Sequence, residues 1–496
     1  MDHSSPDSPA VPPNTFAFGA WLFLRLLAAV HFIAFASAWK QIDGLVGPHG
    51  VQPAAEFFRA AHDQYGALAY LEWPSLCWFF GAGTFLHVLC AAGLALSLLL
   101  FAGIAPAFCL ALLWAGYLSL CCAGQLFFNF QWDALLLETT LLALCLPAAL
   151  CPLWRRPAPP RLACWLLWWL LFRLMFLSGV VKLASGDSTW TTLTALAFHY
   201  ETQPLPTPIA WYACQLPLWF QQASCAVMFF IELVAPFALF GPRALRHGAA
   251  ALMIAFMGAI ALTGNYTFFN LLTVALCVTC LDDAWWSRFR PCRRLLAAGT
   301  LAGTRSPSLR PGYLLRTVAG GVVALTAIPA LPYINVRLPW PEPVGQVLAA
   351  IAPFRSFNNY GLFAVMTATR PEIIIEGSND GRDWRAYEFP WKPGDLARRP
   401  GWVAPHQPRL DWQMWFAALG STKQNPWVAN LCQRLLLNTP EVLALLATNP
   451  FPGQPPRLVR AVLYDYHFTD RATRARTGQC WRRTVLDYYA PPASLR

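Results

Sequence analysis

Long apolar stretches separated by short polar turns constrain the fold of this 496-residue chain more than any other feature. Hydrophobic residues make up 56% of the sequence and charged residues only 12%, about half the charged fraction of an ordinary soluble domain. A bilayer core is crossed by about 20 apolar residues of helix, so we predict nine membrane helices. They fall at residues 18–39, 83–104, 106–123, 132–152, 162–184, 222–241, 246–263, 267–281 and 313–334.

The basic residues predict how these helices are oriented. Arginines occupy three turns, which follow the fourth, sixth and eighth predicted helices. They are Arg155, Arg156 and Arg161, then Arg243 and Arg246, then Arg288, Arg290, Arg293, Arg294, Arg305 and Arg310. Between Lys182 and Arg243, in contrast, there is no lysine or arginine. Basic loops stay cytoplasmic, so we expect a cytoplasmic N-terminus, with the loop 185–221 and everything after residue 335 on the outer side.

The character of the chain changes near residue 353, where a second, non-membrane domain is predicted. The segment 372–389 alternates and turns like a β-hairpin, and residues 361–367, 457–468 and 481–489 are also typical of strands. Residues 425–437 and 440–447 are expected to form short helices. The predicted fold is a polytopic α-helical membrane bundle with a C-terminal extramembrane α+β, β-rich domain. Its divisions are a disordered segment 1–17, a transmembrane domain 18–334 and an extracytoplasmic domain 353–496.

Ionisable residues inside the predicted helices are the first candidates for chemistry, because burying them in lipid is costly. The candidates are Arg25, His31, His87, Asp133, Glu138, Arg173, Lys182 and Glu232. One interpretation is a set of interhelical ion pairs. A second is a polar cavity for a lipid or a coupling ion. A third gives Lys182 and Glu138 catalytic roles on a lipid or quinone-like substrate, since a buried lysine loses its proton readily.

Two polar-aromatic segments outside the helices form the second group of candidates. The loop 185–221 holds His199, Tyr200, Glu201 and Gln203 beside several prolines, and it suits either a membrane-interface structure or a functional surface. Segment 398–416 could be a partner-binding surface or part of a domain core. Its candidate residues are Trp402, His406, Arg409, Asp411, Trp412 and Trp415.

Cysteine and motif content excludes several functions. Cys277 and Cys280 form a lone CxxC in an apolar run, so we expect no zinc site and no other metal or cofactor. Cys432 and Cys480 could form a disulfide in an oxidising compartment. The chain has no GxSxG, P-loop, GxGxxG or HExxH motif, and its basic residues form no nucleic-acid-binding tract. We therefore expect no nucleic-acid partner and, on balance, no enzymatic activity.

Several long strings resemble the lipase maturation factor family. They include residues 41–57, 128–139, 193–220, 264–277, 370–389, 392–419 and 425–436, and the most specific are HYETQPLPTP and APHQPRLDWQMWFAAL. Animal members are endoplasmic-reticulum membrane proteins that help secreted lipases to fold. The resemblance implies a chaperone-like membrane factor whose C-terminal region contacts its client through residues 370–389 and 392–419. Trp402, His406, Arg409, Asp411, Trp412 and Trp415 are then the client-binding candidates.

The composition, rich in alanine, leucine, arginine and proline, resembles a bacterial member of that family, and the last residues contain no obvious retention signal. We therefore expect an inner-membrane protein whose outer domain faces the periplasm, or the endoplasmic-reticulum lumen in a eukaryote. Its partners would be the lipid bilayer and a secreted client protein such as a lipase. The membrane part also faintly resembles that of vitamin K-dependent carboxylases. A membrane enzyme acting on a lipid or quinone-like substrate is thus the alternative.

Overall fold

The computed structural model describes residues 15–146, 158–300, 312–334, 336 and 341–495. Residues 1–14 of the predicted disordered segment lie outside the described residues. So do four of the predicted loop arginines, Arg155, Arg156, Arg305 and Arg310.

The described residues up to Thr300 form a helical bundle with short helices in its connecting loops. In chain order these are α1 Ala17–Trp39, α2 Ile42–Val46, α3 Ala54–Tyr65, α4 Ala69–Glu72, α5 Cys77–Phe80, α6 Thr84–Ala102, α7 Pro106–Ala123, α8 Gln131–Ala143, α9 Arg161–Ala184, α10 Ser188–Thr191, α11 Ala195–Thr202, α12 Pro208–Cys214, α13 Leu218–Phe229, α14 Arg243–Thr263, α15 Phe269–Val278, α16 Asp283–Trp286 and α17 Arg290–Thr300. Helix α13 continues as a π-helix, Phe230–Val234, and a 3₁₀ segment, Ala235–Phe240. Helix α18, Tyr313–Ala327, follows and continues as a 3₁₀ segment, Ile328–Ile334.

Within the described residues, seven helices are long and apolar enough to cross a membrane. They are Ala17–Trp39, Thr84–Ala102, Pro106–Ala123, Arg161–Ala184, Leu218–Phe240, Arg243–Thr263 and Tyr313–Ile334. The polytopic bundle is thus confirmed. The other two predicted spans are represented by shorter helices, α8 with 13 residues and α15 with 10. At 1.5 Å per residue these reach about 20 and 15 Å, less than a bilayer core of about 30 Å.

Acidic and basic residues meet at one end of the bundle. The carboxylate of Asp283 accepts the backbone N–H groups of Ala17 and Phe18 at 3.0 and 2.8 Å, and so caps the start of α1. The neighbouring Asp282 forms an ion pair with Arg243. The start of α1, the start of α14 and the end of α15 therefore lie together, as the arginine pattern requires of these turns.

The C-terminal domain contains a four-stranded antiparallel sheet and its own helices. Its elements are α19 Glu342–Ile351, β1 Pro371–Ser378, β2 Arg385–Ala386, α20 Arg409–Ala418, α21 Trp427–Leu436, α22 Pro440–Leu443, β3 Leu458–Phe468, α23 Arg471–Thr477 and β4 Trp481–Ala493. The strand order is β2-β1-β3-β4. The predicted hairpin is present, since Glu376 pairs with Ala386. The predicted α+β domain is thereby confirmed.

Two expectations for this domain are wrong. Residues 361–367 form turns and bends instead of a strand. This segment comes before the sheet in the chain and packs against the bundle, where the Phe363 ring contacts Tyr266. The possible Cys432–Cys480 disulfide is not formed, and both thiols are free. Cys432 packs in the cluster that contains Ile373 and Ile375, whereas Cys480 packs in the cluster that contains Ile374. Successive residues of a strand point to opposite faces, so the sheet separates the two cysteines.

Candidate functional site

A bidentate ion pair joins the C-terminal domain to the helical bundle. The guanidinium of Arg409, at the start of α20, donates to both carboxylate oxygens of Asp133 at 2.8 and 3.0 Å. It also donates to the Phe127 carbonyl at 2.6 Å, while the Tyr117 hydroxyl donates to Asp133 at 2.5 Å. Both charged side chains are only 1% exposed. Asp133 and Arg409, which the sequence suggested for separate roles, therefore form one buried contact.

A second buried pair lies deeper in the bundle. It is covered by residues 355–366, here named the strap, which lie between α19 and β1 in the chain. Glu138 on α8 forms an ion pair with Arg173 on α9. The other oxygen of Glu138 accepts the side-chain amide of Asn358 at 3.1 Å and the hydroxyl of Tyr360 at 2.7 Å. Arg173 donates to the Asn358 carbonyl at 2.7 Å. The strap therefore supplies hydrogen-bond partners to both charges.

Lys182 and Glu232 form a third buried pair, between α9 and the π-helical turn after α13. The Lys182 ammonium donates to the two Glu232 oxygens at 2.9 and 2.8 Å and to the Ser178 carbonyl at 3.1 Å. All three N–H groups of the ammonium thus have acceptors. Arg25 lies over the ring of Trp21 on its own helix and donates to that residue's carbonyl at 3.3 Å. This geometry supports the ion-pair interpretation of the intramembrane residues.

The loop 185–221 is held by side chains from both parts of the protein. The Tyr266 hydroxyl lies 3.2 Å from His199 Nε2 and donates to Gln203 at 3.0 Å. Burial, with a smaller contribution from nearby Lys182, lowers the pKa of His199 to about 4. Tyr200 is partly buried, with its ring edge-on to His199. The neutral imidazole is therefore a hydrogen-bonded element of the loop.

Charged residues of the sheet fasten the same loop to the C-terminal domain. Arg370 donates to the backbone carbonyls of Glu201, Gln203 and Pro204 and forms an ion pair with Glu372. The other Glu372 oxygen lies 3.0 Å from the ammonium of Lys392. The Glu201 carboxylate accepts the Phe468 N–H at 2.6 Å and lies 2.8 Å from His467. The loop is thus fixed at its backbone and at one side chain.

Most of the residues suggested for client binding lie inside the protein. Trp412 and Trp415 are buried, and the Trp415 indole donates to the Thr202 carbonyl at 2.8 Å. Asp411 is also buried and accepts the N–H groups of Trp391 and Lys392 at 2.8 and 2.9 Å. Burial raises the pKa of Asp411 to about 6. The two tryptophans pack at the interface with the bundle, and Asp411 binds backbone within its own domain. These buried side chains therefore offer no surface to a client.

The remaining two client candidates lie closer to solvent. Trp402 is 52% exposed. The Nδ1 atom of His406 lies 2.8 Å from the Ser37 hydroxyl at the end of α1. Burial, with smaller contributions from Lys40 and Arg409, lowers the pKa of His406 to about 4. Of the six candidates, Trp402 alone is an exposed aromatic side chain.

Amide side chains of the bundle bind the backbone of the segment before α20. Asn265 donates to the Gly401 carbonyl at 2.8 Å and accepts the N–H groups of Val403 and Ala404 at 2.9 and 3.0 Å. Gln41 accepts the N–H of Arg409 at 2.9 Å, which satisfies one free N–H at the start of α20. The segment is therefore recognised through its backbone as well as through Arg409.

Several interface residues escaped the sequence analysis, notably Tyr117, Asn358, Tyr360, Arg370 and Lys392. The signal for Arg370 was present, because Arg370 and Glu372 come just before the apolar run Ile373–Ile375, and charges beside a buried strand need partners.

Comparison with known proteins identifies the family of the chain. The family model described as "Lipase maturation factor transmembrane domain" matches residues 18–288, more than half of the sequence. The model described as "Lipase maturation factor C-terminal domain" matches residues 356–491. The chain belongs to the lipase maturation factor family.

Relatives in this family align along almost the whole chain. "Lipase maturation factor 2" of Homo sapiens is 37% identical to it, over 96% of this chain and 82% of the relative. "Lipase maturation factor 1" of Bos taurus is 35% identical, over 97% of this chain and 90% of the relative. No solved structure matches the chain. The resemblance drawn from the sequence strings is confirmed. Both matched domains contribute residues to the buried contacts between the bundle and the C-terminal domain. Asp133 and Glu138 come from the first matched domain, and Arg409 and Asn358 come from the second.

Proposed function

We propose that this multi-pass membrane protein is a non-enzymatic maturation factor that assists the folding of secreted proteins such as lipases. The observation that carries the proposal is the near full-length match to proteins named lipase maturation factor. The buried ion pairs support it, because they give Asp133, Glu138 and Lys182 structural partners. A rigidly mounted extramembrane domain suits a protein that presents a surface to a client.

The orientation that we propose follows from the arginine distribution. Arg243 and Arg246 lie at the end of the bundle where α1 begins, and the C-terminal domain contacts the opposite end through Ser37 and Gln41. Applying the positive-inside rule gives a cytoplasmic N-terminus and a C-terminal domain on the export side. In a bacterium this is the periplasmic side of the inner membrane. Reporter fusions after residue 495 and before residue 15 would contradict this topology if they placed both ends in one compartment.

The surface that we propose for the client is β4, the edge strand of the sheet. Its side chains Val485, Leu486 and Tyr488 are 60, 54 and 52% exposed, and within the described residues no further strand pairs with it. An exposed edge strand can pair with an extended segment of another chain through its backbone. A partly folded secreted protein offers such segments before its own strands have paired.

The test is co-expression with a secreted lipase in a host without this family. The variant Val485→Ser/Leu486→Ser/Tyr488→Ser removes the exposed apolar side chains, and Leu419→Ser/Leu437→Ser is the control at two other exposed positions of the same domain. We expect the triple variant to lose co-purifying lipase by about tenfold, because a few apolar anchors dominate an interface. The control should keep both bound lipase and secreted lipase activity. Equal yields of active lipase with no protein, triple variant and wild type would refute the proposed function.

A further inference from the structure

Three arginines from two distant segments line one groove between α12 and α23. Arg399 precedes α20, whereas Arg471 and Arg474 belong to α23, and the groove encloses about 510 Å³. Trp211 and Tyr212 of α12 form part of its lining. A basic surface is often only a solvated face, so the surroundings of these guanidinium groups decide its significance.

The three guanidinium groups have no carboxylate partner within the described residues. Arg474 lies over the ring of Trp211 at 4.2 Å and over that of Tyr212 at 5.8 Å, so its planar group is held in place by aromatic faces. Asp470 is the acid nearest in sequence to Arg471 and Arg474. Its carboxylate caps α23 by accepting the Thr473 N–H at 2.7 Å. The indole N–H of Trp211, which is buried, has no hydrogen-bond acceptor among the described residues. The groove therefore combines uncompensated positive charge with aromatic faces that position it.

The groove also lies near the start of a candidate membrane helix. Three residues separate the end of α12 from Leu218–Phe240, a helix long and apolar enough to cross the membrane. Tyr212, Leu218 and Trp219 are 53, 52 and 67% exposed, as expected of side chains that settle at the membrane interface. We therefore expect an anion bound in the groove to be within reach of lipid headgroups.

We propose that this groove binds the phosphate headgroup of an anionic phospholipid in the leaflet beside the C-terminal domain. Guanidinium groups bind phosphate in paired hydrogen bonds, and the position next to a membrane helix favours a lipid over an acidic peptide. The site is separate from β4, so it does not depend on the proposed client. Its effect would be to fix the C-terminal domain against the membrane surface.

The experiment uses the purified full-length protein and native mass spectrometry with added phosphatidylglycerol or phosphatidylcholine. Arg399→Gln/Arg471→Gln/Arg474→Gln removes the charge of the groove. The matched control, Arg382→Gln/Lys423→Gln/Arg457→Gln, removes the same charge from residues that do not line it. We expect wild type and control to retain phosphatidylglycerol in preference to phosphatidylcholine. The groove variant should bind phosphatidylglycerol about a hundredfold more weakly, from roughly fivefold for each basic residue near an anionic surface.

Further measurements keep the result interpretable. The single variant Arg399→Gln changes an exposed loop residue and should weaken binding by about fivefold, so the proposal can be tested even if the triple variant folds poorly. Unchanged phosphatidylglycerol binding by the folded groove variants would overturn the proposal. So would a glutamate-rich peptide, or inorganic phosphate, that binds the groove more tightly than the lipid does.

Discussion

Replacing Arg409 by methionine tests whether the buried interface holds the C-terminal domain on the bundle. Methionine fills part of the same volume but leaves the Asp133 carboxylate with the Tyr117 hydroxyl and no cation. Both members of the pair are 1% exposed, so solvent cannot replace the lost partner. Removing one partner of such a pair costs about 3–5 kcal/mol. At tenfold per 1.4 kcal/mol, the population with an open interface should rise by roughly 100- to 4,000-fold.

Hydrogen exchange measures this population directly. The backbone N–H groups of Val403, Ala404, Gln407 and Arg409 donate to side chains of the bundle at 2.9–3.0 Å, so they exchange only when the interface opens. We expect the amide hydrogens of peptides covering residues 403–409 to exchange faster, by about the same factor as the rise in the population with an open interface. Peptides in β1 and β3, inside the C-terminal domain, should change much less.

Two controls separate a buried pair from any loss of an arginine. Arg385→Met breaks the pair with Asp383, whose side chains are 60 and 63% exposed, and surface pairs contribute about 0–1 kcal/mol. The double variant Arg409→Met/Asp133→Leu removes both buried charges and should recover much of the lost protection, because the unpaired charge is the main cost. Equal exchange in Arg409→Met and Arg385→Met, or a double variant worse than Arg409→Met, would refute the reasoning.

The other predictions concern the two buried ion pairs inside the bundle and the His406 contact with Ser37. Lys182→Met should reduce the yield of folded protein, and Lys182→Met/Glu232→Gln should restore both yield and lipase maturation; a well-folded but inactive double variant would instead indicate an enzyme. Glu138→Gln should lower the temperature of unfolding, because it leaves its arginine partner on α9 buried without a counter-charge. The expected loss of folding free energy is about 3–5 kcal/mol, and an unchanged unfolding temperature would contradict the pairing. His406 has a pKa lowered to about 4 in the folded protein, so the stability of its contact with Ser37 is fully present above pH ~6.5 and is lost as the pH falls towards 4. Exchange at residues 403–409 should therefore accelerate on acidification, and less so in a His406→Gln variant.

The sequence predicted the helices well because each is an apolar run with charged or proline-containing ends, which is a local signal. The pairing of charges was not local. Asp133 and Arg409 are 276 positions apart, and no periodicity links an acid in a membrane helix to an arginine after a proline-rich loop. The aromatic content of residues 409–418 suggested a client surface. In the structure the same residues form α20, which buries Trp412 against Trp132.

The buried polar contacts make association between the two parts of the protein specific as well as stable. Burying a charge is unfavourable unless its partner is placed correctly, so a shifted domain would leave Asp133 without its cation. It would also remove the strap donors from Glu138 and the loop carbonyls from Arg370. Backbone contacts such as those of Asn265 add further constraints on the same placement. The C-terminal domain should therefore dock in a single arrangement or separate completely, with few intermediate positions. A surface on β4 would then keep a fixed position relative to the membrane from which a secreted client emerges.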